Sequence, residues 1–155
     1  MGDREAVHSG SPGSFVARDP EDSASTRNLG VVMEGAFDRE ATAVVREKAR
    51  AAGIECPADG IDRYAFLDAT GIRPGTAETG NPWLAAMNGY DRLVTAPYAA
   101  FLAEIGGPAV EELHDRVVRA TLTGDLAPLE HWLDTRYGPG EFVALFRSGT
   151  YASAA

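Results

Sequence analysis

A single cysteine, Cys56, excludes any internal disulfide, and a single lysine, Lys48, stands against thirteen arginines. With one cysteine no Cys-x-x-Cys pair is possible. Basic stripes are missing too. The densest cation run is Arg46, Lys48 and Arg50, interrupted by Glu47, in a chain of net charge −9. Binding to phosphate backbones depends on counterion release by Lys and Arg. Nucleic acid and anionic membrane surfaces are therefore not expected as partners. The first thirty residues lack the apolar core of a signal peptide, and no apolar run reads as a membrane span. These absences lead to the expectation of a cytoplasmic protein.

Catalytic signatures are equally sparse. The Gly-x-Ser-x-Gly elbow of serine hydrolases is absent, and Ser148-Gly149-Thr150 lies close to the C-terminus. Gly71-Ile72-Arg73-Pro74-Gly75 and Gly138-Pro139-Gly140 match neither a phosphate-binding loop nor a dinucleotide fingerprint and read as turns. Cys56 is flanked by Glu55 and Pro57, which supply neither a base nor positive charge to form a thiolate, so it reads as a semi-buried structural cysteine. No residue pattern names a cofactor.

What is present is helix-forming sequence. The chain has 155 residues, 45% of them apolar and 24% charged, which suits one domain with a self-sufficient core. Residues 1–30 carry Gly, Ser, Pro, Asp and Arg with few apolar side chains and are expected to be a disordered tail, Phe15-Val16 being its one docking point. Val31-Val32-Met33 reads as a short strand or an extended lead-in. Asp38 reads as the cap of a helix over 39–52, closed by Gly53. Asp62 reads as the cap of a helix over 63–70, and 72–80 as a loop. Asn81-Pro82 opens a helix toward Thr95, which Pro97 breaks or kinks, and a further helix covers 98–105.

From Pro108 onward Val110, Leu113, Val117, Val118, Thr121 and Leu122 form one helical stripe, ended by Gly124. Asp125 caps a helix over 126–137 that buries Leu126, Leu129, Trp132 and Leu133. Residues 141–146 are a last helical turn or a strand, and 148–155 fray. The fold class is all-α, an irregular bundle of about five to six helices over 31–147, without internal repeats.

Three constellations carry possible function. Glu111-x-x-His114 sets a carboxylate and an imidazole on one helix face, the spacing used by helical metal sites. Folding back about Gly124 would bring His131 within one turn of His114, with Glu130 and Asp134 nearby. A surface carboxylate at a helix start and a boundary histidine explain the same residues without a metal. A small-molecule pocket could be lined by the aromatics Trp83, Tyr90, Tyr98, Phe101 and Trp132. Core packing is the plain alternative. Phe142, Leu145 and Phe146, at i, i+3 and i+4 after the Gly138-Pro139-Gly140 break, could anchor in a partner's groove or dock on their own bundle.

Three stretches also carry a resemblance: Arg63-Tyr64-Ala65-Phe66-Leu67-Asp68, then Tyr98 to Gly106 (YAAFLAEIG), then Glu141 to Gly149 (EFVALFRSG). In that order they resemble parts of the small subunit of extradiol ring-cleaving dioxygenases. The resemblance implies a helical cap that helps shape an active site whose iron belongs to its partner. The segment Pro108 to Gly140 differs in length from that pattern, and no functional residue is carried across. The sequence thus points first to a helical accessory or binding protein that presents an aromatic pocket or surface to a small molecule or partner protein. Second comes a small enzyme or enzyme subunit using His114 and His131, with or without metal.

Overall fold

The computed structural model describes residues 24–73 and 81–146, so the expectations of a disordered tail over most of 1–30, of a loop over most of 72–80 and of fraying over 148–155 lie outside the described residues. All regular structure in them is helical, which is the expected all-α bundle. Seven α-helices are described: α1 (Leu29–Ala51), α2 (Gly60–Thr70), α3 (Pro82–Tyr90), α4 (Ala96–Phe101), α5 (Val110–Thr123), α6 (Ala127–Tyr137) and α7 (Glu141–Phe146).

The largest departure from expectation is α1. It begins at Leu29, not after Asp38, and runs 23 residues, roughly 35 Å at 1.5 Å per residue. Asn28 starts it: its backbone is extended and its side chain accepts from the Val31 amide at 3.2 Å. An amide oxygen that satisfies a first-turn N–H offsets the weak helix preference of Val31 and Val32. The stretch 31–33 is therefore helical, neither strand nor lead-in. Asp38 sits inside the helix. Ser25 and Arg27 are buried as well, so the ordered body reaches past the expected boundary at residue 30.

The helix α2 starts three residues earlier than expected, at Gly60, and Asp62 falls in its first turn. Gly71, at φ +66°, ends it in the left-handed region. At α3 the Asn81-Pro82 start is as expected, with the Asn81 side chain accepting from the Trp83 amide at 2.9 Å.

Pro97 neither breaks nor ends the helix. A π-helical turn over Asp91–Thr95 precedes it, in which the Ala96 amide bonds to the Asp91 carbonyl five residues back. The wider turn makes room for a ring that would clash with the carbonyl of residue i−4 in a regular α-helix. A second π turn, Leu102–Gly106, follows α4, and Gly107 turns the chain at φ +53°, ψ −124°. An 18-residue window within Pro82–Thr123 reaches a mean hydropathy of 1.3, enough by length and composition to span a membrane, contrary to the sequence expectation. Tyr98, Phe101, Leu102 and Ile105 of this stretch are core residues.

Gly124, at φ +72°, stops α5 as expected, and the Asp125 carboxylate accepts from the Ala127 amide at 3.0 Å to start α6. Leu113, Val117 and Ala120 are the buried face of α5, whereas Leu122 points to solvent at 69% exposure. The final segment is the short helix α7. Asp134 of α6 starts it by accepting from the Phe142 amide at 3.0 Å and the Gly140 amide at 3.1 Å.

The main core brings together Val32 and Ala36 of α1, Tyr98 and Phe101 of α4, Leu113 and Val117 of α5, Leu129 and Leu133 of α6, and Leu145 and Phe146 of α7. Phe142 meets Phe146 edge-on at 5.1 Å, so Phe142, Leu145 and Phe146 dock on their own bundle. A smaller core of Leu67, Leu84 and Met87, with Tyr64 against it, joins α2 to α3.

The Asp134 carboxyl is held below the usual carboxylate range, first by the Phe142 amide and then by the Gly140 amide. A depressed folded pKa stabilises the fold above the unfolded value, near 3.9, and that stabilisation is lost as pH falls through the folded value. Asp134→Ala is therefore expected to cost about 1 kcal/mol at neutral pH, as for a lost cap. In urea denaturation the difference from the parent should shrink as pH is lowered below the ordinary carboxylate value, about 3.9. A pH-independent difference would refute the capping role.

Candidate functional site

The polar feature that the helices build deepest in the protein is a chain of three side chains. Tyr98 of α4 and His114 of α5 are 2% and 5% exposed, whereas the Glu40 side chain of α1 is half exposed. The Tyr98 hydroxyl lies 2.7 Å from His114 Nδ1, and His114 Nε2 lies 2.8 Å from Glu40 Oε1. Proton positions follow from the partners. A carboxylate only accepts, so Nε2 carries the hydrogen; in the neutral ring Nδ1 is then the acceptor, and the phenol donates to it. Three helices are tied together by two hydrogen bonds.

The local sequence sets this up. Gly35, one and a half turns before Glu40, lets α1 approach α4 closely: a Cβ placed there would lie 2.4 Å from the Tyr98 Cβ and 2.6 Å from its Cγ. His114 follows Leu113 on the buried side of α5. Phe101 stacks on Tyr98 with ring centroids 6.1 Å apart. Burial, ahead of the charges of Glu111 and Glu40, pushes the Tyr98 phenol well above its ordinary range against the opposing pull of Arg39, so it stays protonated.

Above this chain, Arg39 grips Glu111, with Nη2 2.8 Å from Oε1 and Nη1 3.5 Å from Oε2. That hydrogen bond and the arginine's charge hold the Glu111 carboxyl below its usual range. Glu111 is therefore committed to an ion pair, and His131 is exposed on α6. Among the described residues no group of three or more His, Cys, Asp or Glu side chains could hold a metal ion, so Glu111, His114 and His131 are not brought together as a ligand set.

The expected aromatic set is divided. Tyr98 and Phe101 are core, and Trp132 is partly buried against that core with the Arg136 guanidinium 5.2 Å from its ring. Trp83, 52% exposed, and Tyr90 lie two turns apart on α3. Tyr90 belongs to a second polar cluster. Its phenol is pushed up to about 12 by burial, then by Asp38 and Glu34, the latter also hydrogen-bonded to it. Asp38 is raised by burial and by Asp68, Glu34 and Asp91, with Arg73 opposing. Arg73 Nε lies 3.9 Å from Asp91 Oδ1, so the arginine acts as counter-charge to carboxylates from α1, α2 and the first π turn.

Cys56 is exposed, not semi-buried, and Arg63 Nη1 lies 3.6 Å from its sulfur. The cation comes from seven residues downstream, where flanking residues gave no sign of it. Sequence reasoning also missed Glu40 and Gly35. Glu40 is 74 positions from its histidine, beyond any local pattern. A glycine inside a helical stretch is a signal of close approach, but one that appears only once α1 is known to start at Leu29.

The three stretches that carry the resemblance to the dioxygenase small subunit include the packing residues Leu67 in the smaller core and Tyr98, Phe101, Leu102, Ile105, Leu145 and Phe146 in the main one, and their last three positions lie outside the described residues. No family model matches the chain, and no curated protein or solved structure matches it.

Proposed function

We propose that this chain is a helical accessory protein that docks a partner protein through the outer face of α1. The observation that supports it is the exposure of apolar side chains there. Phe37, Ala41 and Val44 fall at i, i+4 and i+7, with Val45 beside them. Phe37 is 55% and Val44 48% exposed. Residues 43–48 are exposed on every side, so the second half of α1 stands clear of the core. Scattered exposed apolar residues are ordinary, but an aligned set on one helix face is how helical modules meet partners. Of the aromatics expected to line a pocket, Tyr98 and Phe101 are core and Trp83 is exposed, so they do not converge on one site, which favours a surface over a pocket. The dioxygenase resemblance fits the same role, with a catalytic subunit as the partner.

The second reading, an enzyme or enzyme subunit working through His114 and His131, draws only on the Tyr98–His114–Glu40 chain, whose imidazole is buried and whose second histidine is elsewhere.

The test is co-purification from the chain's own cells, comparing the parent with the double variant Phe37→Ser, Val44→Asp. The variant should keep its helical circular dichroism and lose a stoichiometric partner, with affinity falling at least roughly 30-fold, as for hot-spot residues. Retention of the same partner at the same stoichiometry would sink the proposal. A native mass excess of metal or a small molecule, with no protein partner, would shift the weight to the second reading.

A further inference from the structure

We infer that Tyr98 is a one-electron oxidation site, wired for proton release to the surface through His114 and Glu40. Oxidation of a phenol at neutral pH requires loss of its proton with the electron. It is therefore favoured where a base already holds that proton in a hydrogen bond of about 2.6–3.2 Å. Tyr98 meets this condition at 2.7 Å, and the imidazole that receives the proton has its own outlet at 2.8 Å.

The balanced step is simple. An outer-sphere one-electron oxidant takes one electron from Tyr98 and is reduced by one. The phenolic proton moves to His114 Nδ1, and the Nε2 proton passes to the Glu40 carboxylate. A neutral tyrosyl radical, a neutral histidine and a protonated Glu40 remain. Re-reduction by one electron returns both protons. Glu40, half exposed, can exchange its proton with water, whereas the radical stays packed among Phe101 and Leu113 and shielded from coupling with another chain.

Four other tyrosine and tryptophan side chains are placed less favourably. Tyr137 donates to the Ile105 backbone carbonyl, which is no base. Trp132 has the Arg136 cation 5.2 Å from its ring, which opposes a developing positive charge. Trp83 is half exposed. Tyr90 is bonded to Glu34 and is the closest competitor, but a carboxylate is a weaker base than imidazole.

The test uses the full chain, a ruthenium(III) polypyridyl complex generated by flash photolysis with persulfate, and freeze-trapped electron paramagnetic resonance. The parent should give a neutral tyrosyl signal. Tyr98→Phe should lose it and Tyr90→Phe should keep it. Glu40→Gln still accepts from Nε2–H but cannot take the proton; it lies at the surface, keeps the fold, and should lower the radical yield. A signal that survives Tyr98→Phe would overturn the inference. So would a parent giving only a tryptophan radical, or a yield unchanged by Glu40→Gln.

Discussion

Gly35→Ala should destabilise the protein by about 3 kcal/mol, the upper end of the cost of forcing extra atoms into a packed core. The added Cβ would sit 2.4 Å from the Tyr98 Cβ, which is fixed to its own helix and cannot swing away. The strain therefore falls on the α1–α4 packing itself, and parting those helices also lengthens the Tyr98–His114 and His114–Glu40 bonds. The sign is informative because alanine is the better helix former by about 1 kcal/mol. Gly89→Ala, in α3, provides the control: nothing lies within 4 Å of a Cβ there. That variant should gain about 0.5–1 kcal/mol. Chemical denaturation of both variants measures the contrast. A Gly35→Ala protein as stable as its parent would mean that α1 and α4 do not approach as described.

The second large effect concerns the buried hydrogen-bonded chain. His114→Ala should cost about 3 kcal/mol, since it opens a cavity and leaves the Tyr98 hydroxyl buried without its acceptor. Tyr98→Phe removes one oxygen and should cost about 1–3 kcal/mol, because His114 Nδ1 then becomes the unpaired group. The double variant His114→Leu, Tyr98→Phe should be less destabilised than the sum of its singles, since neither partner is then left unmet. Strict additivity in that cycle would show that the two side chains contribute independently, contrary to their 2.7 Å contact.

The elements legible in the sequence are those whose boundaries are set locally. The helix after Asn81-Pro82, the α5 stripe with its Gly124 stop and the Asp125 start of α6 each depend on residues within one turn of one another. Val31-Val32-Met33 reads as a strand because two of its side chains are β-branched, and the cap that commits it to a helix, Asn28, lies in a stretch whose composition reads as tail. Leu122 follows Val118 by one turn but lies about 140° around the helix from Val117, so it falls on the solvent side of α5.

The candidate site was legible only in part. His114 and Tyr98 stood out as polar groups among apolar ones, but what they bond to is a tertiary fact. Glu111 shares a helix face with His114, as its spacing required, and pairs instead with Arg39 from a helix 72 positions away. His131 depended on where α6 turns its faces, which no residue count across Gly124 could fix.

The π turn at Asp91–Thr95 acts as a ruler with one extra mark. Each hydrogen bond there encloses one more residue than in an α-helix, so every side chain downstream is rotated by about 100° relative to an uninterrupted helix of the same sequence. Tyr98 faces His114, and Phe101 faces the centre of the bundle, in this shifted frame alone. Residue number along this helix is therefore positional information. Shortening the turn by one residue would leave composition, charge and helix content almost unchanged while aiming the phenol at a different neighbour.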